Sequence, residues 1–249
     1  MNTPTDKYAF APAIKQPSII PYLIRGPNAG QFVEDFNQVV DTEYKGNRNL
    51  KVLALRDIDG VQTAVGSNSL ISPVVRKLSG RRTGLPEDLQ RTLNDGDTLG
   101  IRGNHYVDLG VVLDFTGRNH DMAVDFYEQL PKELRNLDLH PSVVVGYGLK
   151  NSDNGKLGLG LVHAEGTQVR PARILANGDW NFSDADVPLD TGLPSKLSGG
   201  NRKLWTTTQK AHSVDNLGLS RLYLYWYLGL NSNDENLALS LENGRVVLF

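Results

Sequence analysis

The sequence predicts an α+β chain. Helical apolar patterns gather in the first half, and short β-like runs closed by Gly-containing turns fill the second. Nothing alternates strand and helix in the manner of a parallel α/β sheet. In order, residues 1–28 are Pro-rich and irregular, with a short apolar run at 19–24. Residues 31–43 place Phe32, Val33, Phe36, Val39 and Val40 on one helical stripe. A strand is expected at 51–56, then short helices at 70–78 and 86–93, the second opened by Pro86 at its first turn. Residues 98–115 read as a strand pair or one long bent strand, carrying Leu99, Ile101 and then 107–115. Asn119 is the expected N-cap of a helix over 121–129 with Met122, Phe126 and Leu130 on one face, and Pro131 bends it or starts a second turn. Apolar runs at 142–149, 158–163 and 171–176, bounded by Asn-Gly and Glu-Gly pairs, read as strands. A long Gly-, Pro-, Asp- and Ser-rich stretch at 177–207 holds Trp180 and Phe182. Strands at 220–230 and 237–242 follow, and a tight turn at Asn243-Gly244 leads to a last strand at 245–249.

The tail carries two superimposed patterns. Leu222, Leu224, Leu228 and Leu230, then Leu237, Leu239 and Leu241, recur at even spacing within each run, the period of strands with one buried face. Interleaved are Tyr223, Tyr225, Tyr227, Gly229, Asn231, Asn233, Asp234, Asn236, Ala238, Ser240 and Asn243, a composition akin to that of antibody paratopes. Buried tyrosines would each need a hydroxyl partner, so the row Tyr223, Tyr225, Tyr227 is expected to be exposed or to line a pocket. Trp226 falls on the leucine side if the alternation holds. Trp205 reads as a core or strand anchor.

Composition narrows the chemistry. The 249 residues suit one large domain and carry a net charge of −2, which supplies no field to draw in nucleic acid. The cluster Arg76, Lys77, Arg81, Arg82 reads as a solvated helix end. With no cysteine there is no disulfide, thiolate metal site or thiol nucleophile. No run has the length to span a membrane, and the N-terminus lacks the layout of a signal peptide.

Familiar catalytic patterns are weak. Gly146-Tyr-Gly148 and Gly158-Leu-Gly160 lack the third glycine and helix of a dinucleotide fingerprint. His105, His120, His140, His163 and His212 show no helix-face pairing. Asn94-Asp95-Gly96-Asp97 lacks the downstream acid of a calcium loop and reads as a turn. No catalytic residue, metal or cofactor is expected; a hydrolase built on His105 and Asp108 would need both in one pocket.

The tail resembles the variable region of target proteins of diversity-generating retroelements, which closes a C-type lectin fold. In that family template adenines are mutated and Asn-type AAY codons are rewritten without creating stops. Tyr, Gly, Asn, Asp, Ala and Ser, the residues interleaved with the leucines, are all reachable from such codons. Trp226, Glu235 and Glu242 depart from the pattern and imply other template codons or fixed positions, and Leu241 needs two changes. Lys203-Leu-Trp-Thr-Thr-Thr, Leu219-Ser-Arg-Leu, Gly244-Arg-Val-Val-Leu-Phe, Tyr106-Val-Asp-Leu-Gly-Val-Val-Leu and Thr191-Gly-Leu-Pro-Ser-Lys-Leu also resemble the branch seen in archaeal viruses and uncultured microbes.

The resemblance implies a C-type lectin-like domain over 98–249 with a variable region at about 220–243. Residues 1–97 would then be an N-terminal α/β elaboration, on its own or within the same domain. It implies a protein that binds a protein or surface-receptor ligand rather than an enzyme. Tyr223, Tyr225, Trp226, Tyr227, Gly229, Asn231, Asn233, Asp234, Asn236, Ala238, Ser240 and Asn243 would form the binding face. A virion or cell-surface location is expected, with the cytoplasm open as an alternative; nucleic acid and membrane insertion are not expected, and oligomeric state stays open. The competing readings are a structural virion or cell-surface module and an enzyme on a related scaffold.

Overall fold

The computed structural model describes residues 21–103, 105–206, 213–225, 227–232 and 236–249. In chain order the elements are β1 (Tyr22–Leu23), α1 (Ala29–Glu43), β2 (Ala54–Ile58), β3 (Val61–Val65), α2 (Ser72–Ser79), α3 (Pro86–Asn94), β4 (Tyr106–Asp114) and α4 (His120–Gln129). There follow β5 (Ser142–Val145), β6 (Gly148–Asn151), β7 (Leu159–Val162), β8 (Gln168–Pro171), β9 (Trp180–Phe182), β10 (Arg202–Trp205), β11 (Gly218–Leu224), β12 (Leu230–Asn231), β13 (Gly244–Arg245) and β14 (Val247–Leu248). The chain is therefore α+β, as the sequence predicts.

One mixed sheet organises the molecule, in the order β8-β5-β4-β11-β12-β10-β9, with β13 also on β4. Its two faces build separate apolar layers. On one face Val111, Leu113, Leu217 and Leu219 meet Phe36 and Val40 of α1, Val74 and Val75 of α2 and Phe126 of α4. Residues 24–75 thus share a core with β4, β5 and β11. On the other face Leu222, Leu224, Leu228 and Leu230 pack with Val107, Val112, Phe182, Leu204 and Phe249, and with Leu89 and Leu93 of α3.

A bulge in β4 sets which side chains meet. Leu222 pairs with Gly110 and Tyr223 with Asp108, so Leu109 is the extra residue. Gly110 has φ 134°, and a Cβ there would lie 2.6 Å from the Val144 carbonyl oxygen, so only glycine fits. The shift aims Leu109 and Val107 at the α3 layer and leaves Tyr106 and Asp108 on the opposite face with Arg221 and Tyr223.

Several sequence expectations change here. The 51–56 run becomes a strand only from Ala54. Leu99 and Ile101 are not in a strand, because both oxygens of Asp97 accept backbone N–H groups, of Ile101 at 2.6 Å and Arg102 at 2.7 Å, and hold a turn. Asn119 holds the N-cap position of α4 as expected, its carbonyl accepting the Ala123 amide at 3.0 Å, but its side chain makes no capping bond; Nδ2 donates to the Leu219 carbonyl at 2.8 Å and ties the helix to β11. Pro131 does start a second turn, over Lys132–Leu134. The 171–176 run is a 3₁₀ turn, Arg173–Ala176, because Pro171 ends β8. Arg76 is no solvated charge: it donates to the Gly146 carbonyl at 2.9 Å, while Arg82 binds Asp88.

The tail is the largest correction. β11 is buried on both faces, being a central strand between β4 and β12. Residues 237–242 form no strand. The Gly244 amide donates to the Leu241 carbonyl at 2.9 Å, so the turn spans 241–244 and leads to parallel pairing with β4 rather than to a hairpin. The last strand splits in two: β13 joins β4, and β14 pairs antiparallel with β1.

Candidate binding surface

The hairpin between β11 and β12 has a strained tip. The Tyr225 amide donates to the Gly229 carbonyl at 2.7 Å, and Leu228 to the Tyr225 carbonyl at 2.8 Å. Leu228, just before Gly229, has φ 57°, a conformation usually taken by glycine. A left-handed leucine costs about 1–2 kcal/mol, which its surroundings must offset. Burial of its side chain against the α3 layer contributes, and the buried Arg202 holds its carbonyl through Nε at 2.8 Å. Arg202 is itself fixed by Gln90 and Asp184, both 2.8 Å from Nη1, and by the Phe182 ring 4.6 Å away. The lock holds Leu228 inward while Tyr227 stands 75 % exposed.

Behind the tip runs an aromatic chain. Tyr106 meets Tyr223 edge-on at 5.9 Å, Tyr223 meets Tyr225 at 6.2 Å, and Tyr225 meets Trp205 at 6.1 Å. Lys203 Nζ lies 4.8 Å from the Trp205 ring. Exposure rises along this chain, from Tyr106 at 2 % and Tyr223 at 9 % to the half-buried Tyr225 and Trp205. Tyr223, Asn231 and Trp205 are register partners across three strands, so they share one face.

Beneath the chain sits a buried ion pair. The Arg221 guanidinium lies between the Tyr106 and Tyr223 rings, 4.7 and 4.5 Å from their centroids. It donates to both oxygens of Asp108, from Nε at 2.5 Å and Nη2 at 2.9 Å. The hydroxyls of Ser67 and Ser69 donate to the same carboxylate at 2.6 and 3.2 Å. The Tyr106 hydroxyl donates to the Ser67 carbonyl and accepts the Leu241 amide, each at 2.8 Å. The ion pair is thereby tied to the crossing segment 236–241. With both carboxylate oxygens so committed, Asp108 is placed as a structural anion.

That crossing segment forms one wall of a groove of about 490 Å³. Asn236, Ala238, Ser240 and Glu242 face Asn49, Lys51, Ala54 and Arg56 across it, with Val52 and Val65 also in the lining. Arg56 and Glu242 pair across the groove at 2.5 Å. Asn68 Nδ2 clamps the two walls by donating to the Asn49 and Ala238 carbonyls at 2.8 and 3.0 Å.

The residues of the expected binding face therefore divide. Tyr227 and Asn236 are exposed; Tyr225, Asn231, Ala238, Ser240 and Asn243 are half-buried. Tyr223 is buried, against the expectation of an exposed or pocket-lining row, because Tyr106, Tyr225 and the Arg221 guanidinium pack around its ring. Gly229 is buried with no room to vary: a Cβ would lie 2.8 Å from the Trp205 ring and 2.9 Å from the Lys203 carbonyl oxygen. Leu241, placed by sequence on the buried side, is 53 % exposed because no strand carries the alternation there. Trp226, Asn233 and Asp234 lie outside the described residues.

Sequence reasoning missed Lys203, Trp205 and the β2–β3 hairpin as neighbours of the tail, since only strand order brings them there. One signal was legible: Arg221 sits within an apolar and aromatic run, and an arginine buried in a strand requires an anion. No family model matches the chain, and no curated protein or solved structure matches it.

Proposed function

We propose that this chain is a ligand-binding protein of the diversity-generating retroelement type, built on a C-type lectin-like fold and displayed on a virion or cell surface. The observation that carries the reading is the division of labour in the tail. Leu222, Leu224, Leu228 and Leu230 are buried in one apolar layer, while Tyr225, Tyr227, Asn231, Asn236, Ala238 and Ser240 keep access to solvent. Of the second group, Tyr225, Tyr227, Asn231 and Asn236 can be exchanged without opening the core, whereas the Ser240 hydroxyl accepts the buried Ser67 amide at 2.9 Å and Ala238 packs against the α1 layer. Tyrosine at the locked tip supplies large contact area at small entropic cost, and the amides and hydroxyls supply adaptable hydrogen bonds. Tyr223 and Gly229 drop out of the exchangeable set and become part of the support.

Two measurements test this. The DNA beside the coding sequence should hold an adenine-rich near-copy of the segment encoding the tail, next to a reverse transcriptase gene, with mismatches concentrated at adenines. Codons for Tyr225, Tyr227, Asn231 and Asn236 should differ between isolates, and those for Leu222, Leu224, Tyr223 and Gly229 should not. Absence of both the copy and the variation would end the retroelement reading.

The stability of tail variants separates support from surface. Tyr223→Ala is expected to cost about 3 kcal/mol, the scale for deleting a buried aromatic side chain. Tyr227→Ala should change stability by no more than about 0.5 kcal/mol, as for surface substitutions generally. Urea titration of the two variants checks the contrast, and equal costs would show that the tip is packed rather than presented.

A further inference from the structure

The β2–β3 hairpin has one edge covered and one edge open. Asp59 and Gly60, with φ 53° and 80°, form a two-residue turn, so Ile58 and Val61 exchange hydrogen bonds, as do Arg56 with Thr63 and Ala54 with Val65. Leu55 and Asp57 therefore turn their backbone N–H and C=O groups away from β3. The same alternation on β3 aims Gln62 and Ala64 outward, and there the groups are used: Gly26 donates to the Gln62 carbonyl at 2.7 Å and Ala64 to the Ile24 carbonyl at 2.9 Å. The outward groups of Leu55 and Asp57 meet no such neighbour among the described residues.

This open edge borders the groove. Ala54, Arg56 and their partner face contribute to the groove lining, while Leu55 points to the opposite face, toward Gly30 at the start of α1. Opposite stand Asn236, Ala238 and Ser240, residues of the expected variable face. Both cations of the lining are already paired, Lys51 with Asp41 and Arg56 with Glu242, each at 2.5 Å, so the groove selects for no charge and its open feature is the backbone edge of β2.

From this we infer that the groove binds an extended polypeptide segment of the ligand, added as a strand to the free edge of β2. Backbone groups of Leu55 and Asp57 supply sequence-independent hydrogen bonds, and alternate ligand side chains enter the groove. Selectivity then comes from the exposed Asn236 on the opposite wall, whose side chain can change while the hairpin wall stays constant. The inference rests on the reading of the chain as a ligand-binding protein and names the class of ligand taken by that surface. A volume of about 490 Å³ lies within the usual range for binding clefts, roughly 300–1,000 Å³.

The test uses the full chain as bait for a phage-displayed library of random linear peptides. Leu55→Pro removes one outward N–H and leaves the β2–β3 ladder intact, because proline is tolerated where the N–H faces away from the pairing strand. Ala54→Trp fills the groove from an exposed position and provides a second route if the proline variant fails to fold. Enriched peptides should lose at least tenfold in affinity to each folded variant. Their binding should slow amide exchange at Leu55 and Asp57. The inference is overturned if no peptide is enriched, if enriched peptides bind both variants as well as the parent, or if Leu55→Pro instead dissociates a homodimer paired through β2. Sensitivity to Tyr227→Ala alone would also overturn it, moving peptide binding to the tip while leaving the retroelement reading to its own DNA test.

Discussion

Asp108→Ala is expected to destabilise the protein by about 3–5 kcal/mol, the usual cost of removing one partner of a buried ion pair. The Arg221 side chain is 2 % exposed and that of Asp108 7 %, so neither charge can find water when the other is removed. In the variant the guanidinium would keep the Ser67 carbonyl, 3.4 Å from Nη2, as a weak acceptor, and the Ser67 and Ser69 hydroxyls would lose theirs. The loss would spread beyond the pair, because Arg221 also fills the space between the Tyr106 and Tyr223 rings. Replacing both charges, as in Asp108→Leu with Arg221→Met, should recover most of the stability, since a well-packed apolar pair often matches a buried ion pair. Urea denaturation of the single and double variants measures this. A cost below about 1 kcal/mol for Asp108→Ala would mean that the pair is hydrated, contrary to its burial.

Stability should also fall in mild acid through His140. Its ring is buried edge-on between Phe115, 6.2 Å away, and Tyr127, 5.8 Å away. Burial, partly offset by the Leu134 carbonyl, pushes its pKa down to about 4 from an ordinary 6.5. The folded state thus binds the proton less readily than the unfolded state. The stabilisation from keeping this histidine neutral is complete above about pH 6.5 and is lost as pH falls toward 4. At about 1.4 kcal/mol per pH unit, that difference is on the order of 3 kcal/mol. Asp114 acts in the opposite sense: burial raises its pKa against the hydrogen bonds from Ser220 and Thr116, so its contribution grows as the solution becomes more acid. The informative quantity is therefore the difference between the parent and His140→Phe, whose ring suits the aromatic slot and cannot be protonated. Denaturation midpoints of the two should diverge progressively between pH 7 and pH 4, and parallel curves would refute the assignment.

The legible parts of this protein were those where a local period meets a single environment. The stripe on α1 was readable because Ala29, Val33, Phe36 and Val40 all turn to one apolar layer. The leucines at 222, 224, 228 and 230 were readable for the same reason. Alternation failed at Tyr223 because it reports that a strand has two faces and does not report whether the second is covered. It failed again at Leu239 and Leu241, where the chain leaves the sheet and the two-residue period has no structure to maintain it. Asn119 illustrates a subtler limit: its place before α4 was legible, while its use as a tether to Leu219 depends on a strand one hundred residues away.

The sequence by itself determined the α+β class, the buried leucine layer and the Tyr-, Asn- and Ser-rich composition of the tail. Those follow from side-chain chemistry and local periodicity, which are properties of neighbours along the chain. Tertiary structure alone decided which of the aromatic residues face solvent, because pairing of β11 with β4 brought Tyr106 against the Tyr223 ring. It alone placed Arg202 behind Leu228, Arg221 against Asp108 and the β2–β3 hairpin across from Asn236. Each of these contacts joins residues far apart in sequence, and strand order in the sheet, which no local pattern encodes, brings them together.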